Sequence, residues 1–153
     1  MEPITDAEAL EFLREAMVAH LGVVHDGEPY VTPMSFVVDD DRLLFRTKPG
    51  MRFEAIQTNP SVSVEVSRFD ESTGEWMSVV VKGTAVERTD EATTSKTVEL
   101  LRAKYSSVLG SPLGRDGLQP MASFPHVVEV KIGEITGMSS GRGFSYRTRP
   151  GRL

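Results

Sequence analysis

Apolar residues recur at two different spacings along this chain, and each change of period marks an element. Leu10, Phe12, Leu13, Met17 and Val18 repeat at helical spacing. Thr5 followed by Glu8 forms a capping box ahead of them, so a first helix is expected over residues 6–20. Residues 21–24 and 30–38 then read as strands on either side of His25-Asp26-Gly27-Glu28, where Asp-Gly signals a hairpin. A second turn, Asp39-Asp40-Asp41-Arg42, leads into Leu43-Leu44-Phe45 and a strand that ends at Thr47. A short helix follows and stops at Asn59-Pro60. From Ser61 to Phe69 the alternation is clean, with Val62, Val64 and Val66 on one side and Ser63, Glu65 and Ser67 on the other. The polar loop at 70–75 connects to a long strand from Trp76 to about Arg88. Thr89 or Asp90 caps a helix carrying Val98, Leu100, Leu101 and Tyr105. Residues 106–125 are rich in Gly, Pro and Ser and read as irregular, and 126–135 alternates again as a last core strand.

Six antiparallel strands in hairpin order, with helices confined to the connections, imply a mainly β fold with flanking helices. The expected architecture is a six-stranded antiparallel barrel, closed or split, with the helices packed outside. No internal repeat or interior boundary interrupts it, so one domain is expected over residues 1–153. Within it, 1–20 form an N-terminal helix, 21–136 the barrel and 137–153 a tail.

Composition narrows the function classes. A net charge of −5 and the lack of a basic face argue against nucleic-acid binding. Arg142, Arg147, Arg149 and Arg152 form the only local basic excess, in the tail. Without cysteine the chain has no disulfide, thiolate nucleophile or cysteine-ligated cluster. No apolar run reaches membrane-spanning length and no secretory signal pattern opens the sequence, so a cytoplasmic protein is expected.

The stretch richest in chemistry is Phe45-Arg46-Thr47-Lys48-Pro49-Gly50-Met51-Arg52. A strand ends there in a hydroxyl among three cations, Pro49-Gly50 breaks it, and a helix begins, with proline suited to the first turn. Arg46, Thr47 and Arg52 should gather where a helix N-terminus favours an anion, and forked arginine donors suit a phosphate. On residue types alone, a solvated, charge-rich loop competes with this reading. His20, His25 and His126 are scattered without metal-ligand spacing, and Asp39-Asp40-Asp41 reads as a turn, so no metal site is expected. His20 is expected at a helix C-terminus, where the dipole suits it. Gly141-Arg142-Gly143 lacks the strand–turn–helix setting of a nucleotide loop, and no serine can be paired with a base and an orienting group. No catalytic acid or base is assigned.

Leu21-Gly22-Val23-Val24, the run from Gly27 to Phe36 (Gly-Glu-Pro-Tyr-Val-Thr-Pro-Met-Ser-Phe), Phe45-Arg46-Thr47, Pro49-Gly50-Met51-Arg52, Asn59-Pro60 and Trp76 to Gly83 occur in one order and spacing. Together they resemble the FMN-binding split barrels related to pyridoxamine 5′-phosphate oxidase, over roughly residues 21–84 and more weakly to 135. The chain is most similar to the small branch with nitroimidazole-reductase-like and actinobacterial flavin- or deazaflavin-binding proteins. The resemblance implies that Arg46, Thr47 and Arg52 hold the ribityl phosphate of FMN, with Met51 beside them. It implies that Pro33, Met34, Ser35 and Phe36 run along the isoalloxazine ring, partly through backbone contacts. Ser78 falls at a flavin-contacting polar position, and Trp76 flanks the flavin or packs at an interface, since such proteins build two sites across a homodimer. The tail does not match the oxidase's segment for the substrate phosphate, so an FMN-dependent oxidoreductase acting on a small electron-poor acceptor is expected instead. The alternatives are a deazaflavin-coenzyme-dependent reductase on the same fold and a non-catalytic flavin-binding or sequestering module.

Overall fold

A computed structural model describes residues 1–109 and 123–141, with side chains of 107–109 excepted. In chain order the elements are β1 (Glu2–Pro3), α1 (Asp6–Glu15), β2 (Ala19–His25), β3 (Glu28–Met34), β4 (Val37–Asp39), β5 (Arg42–Thr47), α2 (Met51–Thr58), β6 (Ser61–Phe69), β7 (Trp76–Arg88), α3 (Glu91–Leu109) and β8 (His126–Ser139). The irregular stretch expected at 106–125 lies partly outside the described residues, as do Arg142, Gly143 and the basic tail beyond them.

All the described strands form one antiparallel sheet in the order β3-β2-β6-β7-β8-β5-β4, with β1 added to the end of β8. The two edges, β3 and β4, are consecutive in sequence and separated only by Ser35 and Phe36. So short a link forces the sheet to curl until its edges meet, and because they do not pair, the barrel stays split. The curl encloses Leu21, Phe36, Phe45, Val64, Val79, Val81 and Val128. Each such side chain stabilises the fold by roughly 1.5–3 kcal/mol relative to exposure. β7 and β8 pair from Met77↔Ser139 to Arg88↔Val127, with a bulge at Lys82/Gly83.

Several expectations change. Eight strands replace six among the described residues. The expected strand at 30–38 breaks into β3 and β4, because Ser35 and Phe36 leave the ladder to turn the corner between sheet edges. The first helix stops at Glu15 rather than His20. Its capping box is present, but from Ala19 the pattern of buried Ala19, Leu21 and Val23 is β alternation, and it overrides the helical spacing of Met17 and Val18. His20 is therefore a strand residue, paired with Glu65 at 3.1 Å, and has no helix dipole beside it. β8 continues through Gly137 to Ser139, where β1 pairs with it. Asp90 caps α3, its carboxylate accepting from the Thr93 amide at 3.0 Å.

Candidate functional site

The end of β5 and the start of α2 meet the exposed edge strand β3 around a cleft of about 250 Å³. Tyr30, Thr32 and Pro33 wall it on one side, Thr47 to Arg52 on the other, and Phe124 closes one end. Local sequence explains the shape. Thr47 is the last ladder residue of β5, opposite His126. Gly50, at φ 150° and ψ −172°, occupies a conformation essentially reserved for glycine and redirects the chain into α2. Pro49 therefore stands before the helix N-cap rather than in its first turn.

Arg52 spans the cleft. Its Nε donates to Thr47 Oγ1 at 3.3 Å, and its Nη1 donates to Thr32 Oγ1 at 3.1 Å and the Pro33 carbonyl at 3.2 Å. Arg46 is 8% exposed and Thr47 2%. The Arg46 Nε donates to the Phe124 carbonyl at 3.3 Å, while its buried Nη2 has no hydrogen-bond partner among the described residues. The Phe124 ring lies 5.8 Å from the Arg46 guanidinium and 4.8 Å from Lys48 Nζ. Burial pulls both the Arg46 and Arg52 guanidiniums below their ordinary range; for Arg52 nearby Tyr30 acts in the opposite direction. Among the described residues no carboxylate pairs with Arg46, Lys48 or Arg52. The cleft is open to solvent and positive, with Arg46 and Arg52 partly desolvated, and an anion would offset that cost.

The expected site residues do not all share this cleft. Thr47, Met51, Arg52 and Pro33 line it, whereas Arg46 is not among its lining residues and touches it through the Phe124 carbonyl. Ser35 is exposed at the corner between β3 and β4, whereas the Met34 and Phe36 side chains are buried in the core. That segment can therefore meet a ligand through its backbone and Ser35. Trp76 and Ser78 lie at the other end of β8: Thr47 pairs with its first residue, while the Ser140 amide donates to the Trp76 carbonyl just past its last. Thr32, Tyr30 and Phe124 were not expected from the sequence. Thr32 and Tyr30 are legible afterwards, because they alternate with Val31 and Pro33 in β3 and so share the side of buried Met34. Phe124 carries no pattern that would have found it. No group of metal-ligating side chains occurs among the described residues, and no helix there is long and apolar enough to cross a membrane.

Comparison with known proteins agrees with this architecture. Similar solved structures include an FAD-binding protein from Mesorhizobium loti, with TM-score 0.72, 22% identity and coverage of 92% of this chain and 97% of that one. A Bacteroides thetaiotaomicron protein named for 5-nitroimidazole antibiotic resistance gives TM-score 0.72 at 19% identity, covering 89% of this chain and 85% of that one. An FAD-binding protein from Mycobacterium smegmatis gives 0.65 at 24% identity, over 91% and 98%. Likeness at these identities speaks for the fold. In sequence, an uncharacterised protein of Rhizobium meliloti is 33% identical over 66 residues, which is 43% of each chain, so the match spans less than half of that relative. The sequence model for pyridoxamine 5′-phosphate oxidase matches residues 5–139, nearly the whole barrel, and the chain belongs to that family.

Proposed function

We propose that this protein is an FMN-binding oxidoreductase that passes hydride or electrons between bound flavin and a small electron-poor acceptor. The observation that carries the reading is a partly desolvated cation pair with no carboxylate partner among the described residues: Arg46, whose buried Nη2 has no hydrogen-bond partner there, and Arg52 stretched across the cleft. A phosphate monoester in the cleft would supply the negative charge this pair lacks, with Arg52 and Thr47 at its wall. Pro33 to Phe36 then lead away from the phosphate end along the path for a flat ring, with Ser35 on the open side. Trp76 and Ser78 sit too far along the sheet to join the same cleft directly, which fits a contribution from a second copy in a homodimer.

Membership of the family supports a flavin, and two similar structures are named as FAD-binding. FMN is preferred to the deazaflavin coenzyme because the longer anionic tail of the latter asks for a more extended basic groove. Among the described residues, no cation lines the cleft beyond Lys48 and Arg52. Flavin carries the redox chemistry itself, so the protein is left with binding, orienting and shielding the ring.

The test is the absorption spectrum of freshly purified protein, followed by mass analysis of whatever heat releases. FMN is the expected mass. Release of FAD or a deazaflavin corrects the cofactor, and an apoprotein that ignores added FMN overturns the reading.

A further inference from the structure

Two side chains of α3 reach the corner between β3 and β4, and the phosphate cleft makes no use of them. Tyr105 is buried, and its hydroxyl donates to the Met17 carbonyl at 2.7 Å while accepting from the Phe36 amide at 3.0 Å. A phenol has one proton to give and two lone pairs to receive. With its proton on Met17, it meets the Phe36 amide as an acceptor. Lys104, the preceding residue, donates from Nζ to the Phe36 carbonyl at 2.9 Å and the Ala16 carbonyl at 2.7 Å, with the ammonium 4.0 Å from the Phe36 ring centroid.

The sheet explains why these contacts are needed. Phe36 lies between the last residue of β3 and the first of β4, where neither ladder satisfies its amide or carbonyl. Left bare, buried backbone groups cost free energy comparable to a lost hydrogen bond. Tyr105 takes the amide and Lys104 the carbonyl, so both polar groups of one residue are fixed from a single turn of α3. The same turn holds Ala16 and Met17, which lead into β2.

We propose that Lys104 and Tyr105 are positioning residues for the ring-binding segment, fixing the Phe36 backbone and with it the corner that carries exposed Ser35. The inference rests on the flavin reading above and adds the residues that hold its ring end, distinct from those that hold its phosphate. Neither residue touches the cleft itself. Their effect is therefore on the ring's environment and affinity, with the phosphate contacts left as they are.

The experiment compares wild type with Tyr105→Phe, which removes one oxygen, and Lys104→Met, which keeps the stem without the charge. In the apoprotein, amide exchange at Phe36 is expected to quicken about tenfold or more in Tyr105→Phe, with Val79 and Val81 in the core unchanged. On titration, FMN affinity is expected to fall about tenfold in either variant, with the visible circular dichroism of bound FMN altered. Competition by inorganic phosphate should stay at the wild-type value. Quickened exchange with FMN affinity and dichroism both unchanged would reduce the pair to a structural clamp and overturn the proposal, as would unchanged exchange at Phe36. A wild-type protein that binds no flavin overturns the underlying reading and the proposal with it, whereas wild-type binding with indifferent variants overturns the proposal alone.

Discussion

Arg52 Nε donates to Thr47 Oγ1 at 3.3 Å, tying the first turn of α2 to the last residue of β5. Five positions separate the two residues, and Pro49-Gly50 folds the chain back so that they meet. The guanidinium then carries on to Thr32 and Pro33 on the far wall, so one side chain closes the cleft from both sides.

Removing that side chain tests the phosphate assignment. Arg52→Ala should cost about 2–3 kcal/mol of FMN binding, or roughly 30- to 150-fold in affinity. Titration of the folded apoprotein with FMN measures it. Wild-type affinity in a folded variant would remove Arg52 from the site.

What could be read in advance followed the reach of the interactions. Alternation at Val62, Val64 and Val66 and at Val128 and Val130 is local, and those strands lie where the pattern put them. The Thr5–Glu8 capping box is likewise local, with the Glu8 amide donating to Thr5 Oγ1 at 3.2 Å. The start of β2 was misread because Met17 and Val18 continue a helical period, while the deciding contact, Leu21 opposite Val64, is 43 positions away in sequence. The break at Ser35-Phe36 was hidden for a related reason. Its partners, Lys104 and Tyr105, lie about 70 residues downstream on α3, and nothing in Met34-Ser35-Phe36-Val37 announces them. The cations of the cleft were legible as a cluster, whereas Thr32 and Phe124 joined it only through sheet pairing.

The outer face of β2, β6 and β7 is expected to be a dimer surface. Alternation turns His20 and Gly22, Ser63, Glu65 and Ser67, and Ser78, Val80 and Lys82 away from the core, several of them small. Closed two-fold dimers are the commonest oligomers, and this face would bring Trp76 and Ser78 of one copy toward the other. Light scattering at micromolar concentration should give about twice the 16.8 kDa chain mass. Val80→Arg should return it to the monomer mass, and a clean wild-type monomer that still binds FMN tightly would exclude the arrangement.

Gly83 should not tolerate a side chain. It follows the bulge between Lys82 and Gly83, and a Cβ there would come within 2.5 Å of the Lys131 carbonyl oxygen and 2.7 Å of a Val130 methyl. The obstructing oxygen is backbone of the adjacent strand, so it cannot swing aside. Gly83→Ala should destabilise the fold by about 1–3 kcal/mol, read as a lower urea midpoint at unchanged slope. An unshifted midpoint would mean that β7 and β8 separate easily.

Redox turnover should survive loss of the histidines. His126 stacks on Phe53 with centroids 3.8 Å apart and pairs with Glu87 at 2.8 Å, which occupies it structurally. His25 lies 3.5 Å from both Asp26 and Glu54, and His20 pairs with Glu65 on the outer sheet face. None of the three lines the cleft. Replacement of His25 or His126 by Gln should leave reoxidation of photoreduced holoprotein by an artificial acceptor within about threefold, a barrier change of about 0.7 kcal/mol. A hundredfold loss with FMN still bound, measured by stopped flow, would reveal a catalytic histidine.

The half-buried ammonium of Lys104 gives stability a distinctive dependence on pH. Burial pulls its pKa from 10.5 down to about 8. Between those values the unfolded chain binds a proton that the folded chain has released, so this group's contribution to stability rises with pH. Tyr105 acts with the opposite sign. Its phenol is raised above 10.0, chiefly by burial, so the folded chain keeps a proton that the unfolded chain loses, and that contribution falls at higher pH. The two separate between about pH 8 and 10, where only Lys104 titrates. Lys104→Met removes the titration while leaving the rest of the molecule to cancel in the difference. Urea unfolding of wild type and variant at pH 7.5 and 9.5 should therefore show the difference in midpoint moving in favour of the wild type at the higher pH. A difference independent of pH would mean that the ammonium stays solvated and that its contacts with the Phe36 and Ala16 carbonyls are not formed in solution.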